Sequence, residues 1–397
     1  LISQIFSKTD LYVGFSDKSN YFNTVQEAVN KAASINPSKE DDRVTIHIAP
    51  GTYRQQVVVQ TPYITFINDN PSDGEVILTF YYGIGYKYYS VNDKGFFDQN
   101  LFNKKSSKKG NVNRWGASVH LLKGASFFKA QNIVFENSFN RYMTKEEIQD
   151  GVEVSGESGI TVARTESLDV KSKDATERAA ALSIESSNVE FLNCNFYSSQ
   201  DTLYTGGSPL YFKNCLIEGE TDYIFGESSA IFDSCELRWK GFSKDPKGGH
   251  ITASKASGAG YLFRNCKVTK NKSLSVKAGD FGRPWSTSAK AFYIDTVLED
   301  DSTIIADGWG AMSGVQPETI EGFKEYGTKL ANGGNVNTSQ RKGHVVSKDD
   351  AAKVNVKDYL NMANAFDFVK WQGKLRSYEK PIKKWKIFFF FNNISIF

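Results

Sequence analysis

Short apolar runs, each closed by a small polar residue and a cysteine, recur through the middle of the chain. They are Val189-Glu190-Phe191-Leu192-Asn193-Cys194, Leu210-Tyr211-Phe212-Lys213-Asn214-Cys215, Ala230-Ile231-Phe232-Asp233-Ser234-Cys235 and Gly260-Tyr261-Leu262-Phe263-Arg264-Asn265-Cys266. The cysteines step by 21, 20 and 31 residues (194 to 215, 215 to 235, 235 to 266), the last step with room for a looped-out insertion. A cysteine-free copy, Asn132-Ile133-Val134-Phe135-Glu136-Asn137, precedes them. A period in the twenties that contains strands rather than helices predicts a solenoid in which each turn of chain adds one rung. Equivalent positions on successive rungs then lie one strand spacing apart, about 4.8 Å. The fold class expected is an all-β parallel solenoid.

The pattern also predicts how the stack begins and ends. Thr24-Val25-Gln26-Glu27 is a capping-box sequence, with Ala28, Val29 and Ala32 following at helical spacing. A short helix there would cover strand edges that otherwise invite pairing with another chain. Val44 to Ala49 and Gln56 to Val59 read as strands around the turn Pro50-Gly51-Thr52, and residues 117 to 310 carry the clearest rungs. Residues 80 to 116, rich in Tyr, Gly and Lys, break the period and read as a long excursion from one rung. Its cluster Lys104, Lys105, Lys108 and Lys109 reads as a solvated loop rather than a ligand site. Ser347 with Asp350 marks another helix start, and Ala351 to Leu360 is expected to fold back on the stack. We expect one domain over residues 1–380 and an apolar, disordered tail over 381–397.

At 397 residues the chain is long for one compact domain, but a solenoid's core grows along one axis. Lys plus Arg number 48 against 45 for Asp plus Glu, a net +3 that is too near neutrality to suggest a nucleic-acid partner. All four cysteines share one phase of the repeat, so they read as a column of buried thiols, not a disulfide framework. Four histidines without metal-type spacing call for no metal, and no cofactor is expected. No stretch approaches the roughly 20 apolar residues of a membrane helix. The chain begins at Leu1 without a charged-then-apolar leader, which we read as a secreted, extracellular protein whose leader is absent from this chain.

Asp201 and Asp222 are 21 residues apart (222 minus 201), one period of the repeat, so they should face each other on adjacent rungs. Two carboxylates about 5 Å apart at an effective dielectric near 20 repel by roughly 3 kcal/mol. That repulsion is enough to keep one protonated while the other is ionised, which divides them into acid and nucleophile. A fixed cation would decide which is which. Arg283 in Phe281-Gly282-Arg283-Pro284-Trp285 is the candidate: Gly282 permits close approach, Pro284 stiffens the turn and Trp285 offers a flat face to a sugar ring. Each motif taken singly could be structural, since an aspartate at a rung corner often just bonds turn amides.

Gln200-Asp201-Thr202-Leu203-Tyr204, Asp222-Tyr223-Ile224-Phe225-Gly226 and Gly282-Arg283-Pro284-Trp285, in that order, resemble the signature segments of the pectin methylesterase (pectinesterase) family of carbohydrate esterases. Gly51-Thr52-Tyr53, Gly308-Trp309, Met312-Ser313-Gly314 and the helix around Thr24 to Ala32 extend the likeness over roughly residues 10 to 365. The resemblance implies a right-handed parallel β-helix and a monomer that takes methyl-esterified polygalacturonate as substrate. It implies that Asp222 attacks the methyl-ester carbonyl and that Asp201 protonates departing methanol and then activates water. Gln200 would donate to the oxyanion and Arg283 would hold Asp222 ionised and aimed. Trp285, Trp309, Tyr204, Phe225 and Met312 would line the substrate cleft, although Phe225 reads equally as core.

Two positions depart from the family pattern. Where most members carry a second oxyanion glutamine, this chain has Arg178 in Arg178-Ala179-Ala180-Ala181-Leu182. It is expected to contact either the oxyanion or a free galacturonate carboxylate. Gln55 stands where a glutamate usually follows the Gly-x-Tyr turn, a position expected to matter for folding. Other readings of the paired acids are a polysaccharide hydrolase or lyase, an esterase relative acting on thioesters or other acyl groups, and a non-catalytic glycan-binding module. Inverting glycosidases need carboxyl groups roughly 6.5–9.5 Å apart, wider than adjacent rungs give.

Overall fold

A computed structural model describes residues 9–105, 108–113, 115–154, 177–243 and 245–360; the tail expected over 381–397 lies outside the described residues. The strands form three long sheets of twelve, nine and seven members, and a small three-stranded sheet stands apart. In the twelve-stranded sheet the repeats align as the period predicts, with Phe191, Phe212, Phe232, Phe263 and Tyr293 in register. Their rings stack down the interior with centroids 4.9, 4.6, 4.7 and 4.3 Å apart. The chain is therefore a parallel β-helix, all-β apart from short helices.

The small polar residue of each repeat has a conformational task. Asn132, Asn193, Asn214, Ser234, Asn265 and Asp295 all adopt left-handed backbone, with φ between 50° and 58°. One residue thereby turns the chain from the twelve-stranded to the nine-stranded sheet, and Asn and Asp tolerate that region better than other side chains. The asparagine amides also link rungs, Asn214 Nδ2 donating to Asn193 Oδ1 at 3.4 Å and Asn193 Nδ2 to Asn132 Oδ1 at 3.3 Å. Asn214→Val should lower the unfolding free energy by about 1–3 kcal/mol, read from urea unfolding. The next residue, the cysteine, points inward. Cys215, Cys235 and Cys266 are buried free thiols that donate to Phe191, Phe212 and Phe232 carbonyls at 3.7, 3.5 and 3.3 Å. Burial pushes the Cys194 thiol up to about 12, so it is inert.

The helix Val25–Ile35 forms as expected, with both halves of the capping box made between Thr24 and Glu27. It covers the seven-stranded sheet's outermost strand, Val57–Val59: Val58 N donates to Gln26 Oε1 at 2.7 Å and Gln26 Nε2 to Val58 O at 3.2 Å. Gln55 accepts from Gln26 N at 3.0 Å and so locks the helix to the stack. Gly51-Thr52, expected as turn residues, instead open the strand Gly51–Arg54, which pairs with Val76–Phe80. At the other end Ser347 caps the helix Lys348–Ala352, and Ala351 with Leu360 covers the outward row Tyr211, Ile231, Leu262 and Phe292.

The excursion after Phe80 is a folded unit of its own. Tyr86–Tyr88 pairs antiparallel with Gly110–Asn111 and Glu153–Val154, and a helix spans Gln99–Lys104. Asp150 pins it, accepting from Ser90 N at 2.7 Å and Tyr81 Oη at 2.9 Å. Burial raises this carboxyl to about 6, against the pull of those hydrogen bonds. No described helix is long and apolar enough to cross a membrane.

Candidate active site

The seven-stranded sheet carries the signature segments, the two aspartate segments on neighbouring rungs and the Arg283 segment two rungs beyond Asp222. Leu203–Thr205 pairs with Thr221–Gly226, placing Leu203 opposite Ile224 and Tyr204 opposite Phe225. Asp201 and Asp222 each lie two residues before an aligned pair, and Asp201 N donates to Thr221 O at 3.0 Å. Both aspartates take left-handed backbone, φ 59° and 52°, which breaks the alternation of side chains at the same point on both rungs. Each is 5% exposed. Burial, and then the charge of Asp222, pushes the Asp201 carboxyl well above the usual carboxylate range, while Arg178, Arg283 and a hydrogen bond with Gln200 act in the opposite direction.

Asp222 has a partner that Asp201 lacks. Arg283 donates Nε to Asp222 Oδ1 at 2.8 Å and Nη2 to Oδ2 at 2.6 Å, a two-point fork that fixes the carboxylate's plane. By register Arg283 lies opposite Ala253, which lies opposite Phe225, so its side chain reaches back across a whole rung to Asp222. Ala253 is small enough to let it pass. Gly282 is needed for closeness: a Cβ there would sit 2.0 Å from Thr252 Oγ1.

Gln200 and Arg178 pair as neighbours on the preceding rungs, with Ala179 N donating to Gln200 O at 3.3 Å. The Arg178 side chain is 37% exposed and its Nε lies 3.7 Å from Glu177 Oε1. Glu177 is itself 2% exposed and its Oε1 accepts from Arg178 N at 2.9 Å and Gly85 N at 3.2 Å. The arginine therefore stands close enough to act on Asp201, with part of its charge balanced by Glu177.

Tyr204, Phe225 and Trp285 gather on the outer side of this sheet in an aromatic cluster distinct from the interior core. Phe225, open between core and cleft on sequence grounds, belongs to this outer cluster. Its centre is Trp115, which the repeat pattern did not single out: its ring lies 4.6 Å from Tyr204, 4.7 Å from Phe225 and 6.1 Å from Trp285. Trp115 arrives from the excursion, where no period assigns a direction to any side chain. Its one local signal is being a tryptophan just ahead of the resumed rungs.

Two expected cleft residues fall outside that cluster. Trp309 is 1% exposed and stacks on Phe323 at 4.3 Å, inside the solenoid. Its large apolar ring is more stable closing the interior than facing solvent. Met312 sits in a tight turn whose backbone bonds join it to Val315 at 3.1 and 2.9 Å, and it is not part of the aromatic cluster.

The pectinesterase family model matches residues 129–363, more than half of the chain. Pectinesterase 31 of Arabidopsis thaliana is 26% identical over 316 residues, which cover 78% of this chain and 80% of that protein. Pectinesterase 1 of Olea europaea is 26% identical over 342 residues, covering 85% and 74%. Among solved structures, pectin methylesterase PemA from Erwinia chrysanthemi superposes with a TM-score of 0.64 at 18% identity, covering 91% of this chain and 99% of that one. At that identity the superposition speaks for the fold.

Proposed function

We propose that this chain, which belongs to the pectinesterase family, hydrolyses the methyl esters of galacturonate units in pectin with Asp222 as nucleophile and Asp201 as general acid and base. The observation that carries the assignment is the asymmetry of the pair: Asp222 is held by the Arg283 fork, whereas Asp201 is buried with its carboxyl pushed toward the protonated form. Asp222 attacks the ester carbonyl carbon, and the resulting oxyanion is held by Gln200 and Arg178. The intermediate collapses by losing methoxide, which takes the Asp201 proton and leaves as methanol. Asp201, now ionised, removes a proton from water, whose oxygen attacks the acyl carbon and releases Asp222 with a free galacturonate. The aromatic cluster of Tyr204, Phe225, Trp285 and Trp115 presents flat faces to sugar rings. Action on a wall polymer implies a secreted enzyme, and the acids, Arg283 and the aromatic cluster all come from one chain, so a monomer suffices.

Incubation with highly esterified pectin tests the reading. Methanol should accumulate without new reducing ends. Reducing ends from de-esterified polygalacturonate, or an absorbance rise from unsaturated product, would instead mean a hydrolase or a lyase.

Arg178 is assigned the second oxyanion contact. Arg178→Ala should lower kcat for methanol release by about 10²-fold, the cost of one oxyanion donor, while Arg178→Gln keeps most of it. Unchanged turnover in the alanine variant would leave Arg178 only a structural partner of Glu177.

A further inference from the structure

Beside the nucleophile stands a hydrogen-bonded histidine–aspartate pair that the chemistry above does not use. His250 opens the strand His250–Ser254 and Asp280 opens Asp280–Pro284; the two are in register, and His250 is also in register with Thr221, the residue before Asp222. His250 Nδ1 lies 2.9 Å from both Asp280 oxygens. The carboxylate is 4% exposed and the imidazole 21%. The loop after Trp309 lies flat on them: a Cβ on Gly310 would be 2.6 Å from Asp280 Oδ2 and 2.9 Å from His250 Cε1. Gly310 N donates to Gly282 O at 3.0 Å, which ties that loop to the strand of Arg283.

Asp280 and Arg283 share one strand, and Arg283 has three carboxylates within electrostatic reach, Asp222, Asp280 and Asp201. Among the described residues it nevertheless forms no ion pair with Asp280 and gives Nε and Nη2 to Asp222. A guanidinium fork grips a carboxylate in one plane only while both of its donors stay on it. A buried carboxylate without a partner is strongly unfavourable and turns toward any cation it can reach. For Asp280 that cation would be Arg283.

We propose that the His250–Asp280 pair is a positioning device for the nucleophile: His250 satisfies Asp280, so the fork of Arg283 is left whole for Asp222. The proposal rests on the reading of Asp222 as nucleophile. It assigns His250 no contact with substrate.

The test is kcat and KM for methanol release from esterified pectin, with thermal melting as a check on folding, in wild type, His250→Ala, His250→Gln, Asp280→Asn and the double variant His250→Ala/Asp280→Asn. Loss of the histidine should lower kcat by about tenfold or more at nearly constant KM, because a displaced nucleophile costs turnover rather than binding. His250→Gln, which keeps a donor for Asp280, should retain most of kcat. Asp280→Asn should stay within about twofold of wild type, and the double variant should recover most of what His250→Ala loses, because the competing charge is gone. Wild-type turnover in His250→Ala, or a double variant as slow as that single one, overturns the proposal. If His250→Ala does not fold, the double variant decides: near-wild-type turnover supports the device, and a tenfold loss refutes it. A wild-type enzyme that releases no methanol would instead overturn the reading of the whole site.

Discussion

Asp222→Ala should stop methanol release, with kcat falling by about 10⁴-fold or more, the scale seen when a nucleophile that works with partners is removed. The loss is this large because Gln200, Arg178 and Asp201 all act on an intermediate that only Asp222 can begin. Binding should change much less, since Tyr204, Phe225, Trp285 and Trp115 do not depend on Asp222 for their packing. The fold should survive. Arg283 keeps 23% of its side chain exposed, so water can solvate the guanidinium that Asp222 leaves behind. Asp222→Asn gives the sharper comparison: it preserves shape and one hydrogen bond but is no nucleophile, and it should be as inactive as alanine. Measurable turnover in either variant, above about a thousandth of wild type, would remove Asp222 from the role.

Asp201→Asn should lower kcat by about 10²- to 10⁴-fold, the usual weight of general acid–base catalysis, while raising stability as pH climbs above the ordinary aspartate value. The two effects share a cause. Burial and the neighbouring Asp222 push the Asp201 carboxyl up, so the folded protein holds this proton to a higher pH than the unfolded chain does. Its contribution to stability is therefore fully present below the ordinary aspartate value and is lost as pH rises through the raised folded value. Asparagine carries no charge to bury and escapes that loss. Wild-type turnover should fall as pH rises through that same raised value, since departing methanol needs the protonated form. Melting temperatures and kcat measured across pH check both. A variant that is slow but follows the wild-type stability curve at high pH would show that Asp201 is not the group being strained.

These variants test a site whose two halves differ in how far they could be read from the chain. The rungs were legible because four successive turns are marked twice, by a residue that tolerates left-handed backbone and by a thiol small enough for the interior, as at Asn214 and Cys215. Asp201 and Asp222 followed from the same period, since Leu203 opposite Ile224 is a step of one rung. Beyond Asp222 the period fails. A register shift falls between Thr221 and Ile224, and the next two rungs take 29 and 30 residues (221 to 250, 250 to 280). His250 and Asp280 could not be placed together by counting. Trp309 shows the opposite error: it follows Gly308 in a motif near the site in sequence, yet nothing local says whether its ring faces the cleft or the interior.

The amino-acid sequence by itself determined the repeating strand, the residues able to turn it, the capping helix and the two aspartates one rung apart. All of these depend on short-range spacing and on the conformational preferences of single side chains. Only the tertiary structure decided that Arg283 reaches back past Ala253 to Asp222, that Trp115 comes out of the excursion to join Tyr204 and Phe225, that Trp309 turns inward and that His250 meets Asp280. Those outcomes depend on loop length, on the room that one rung leaves for the next, and on which side of a wall one rung thick a side chain falls. Stacking settles these quantities, because in a solenoid each rung's surroundings are supplied by its neighbours.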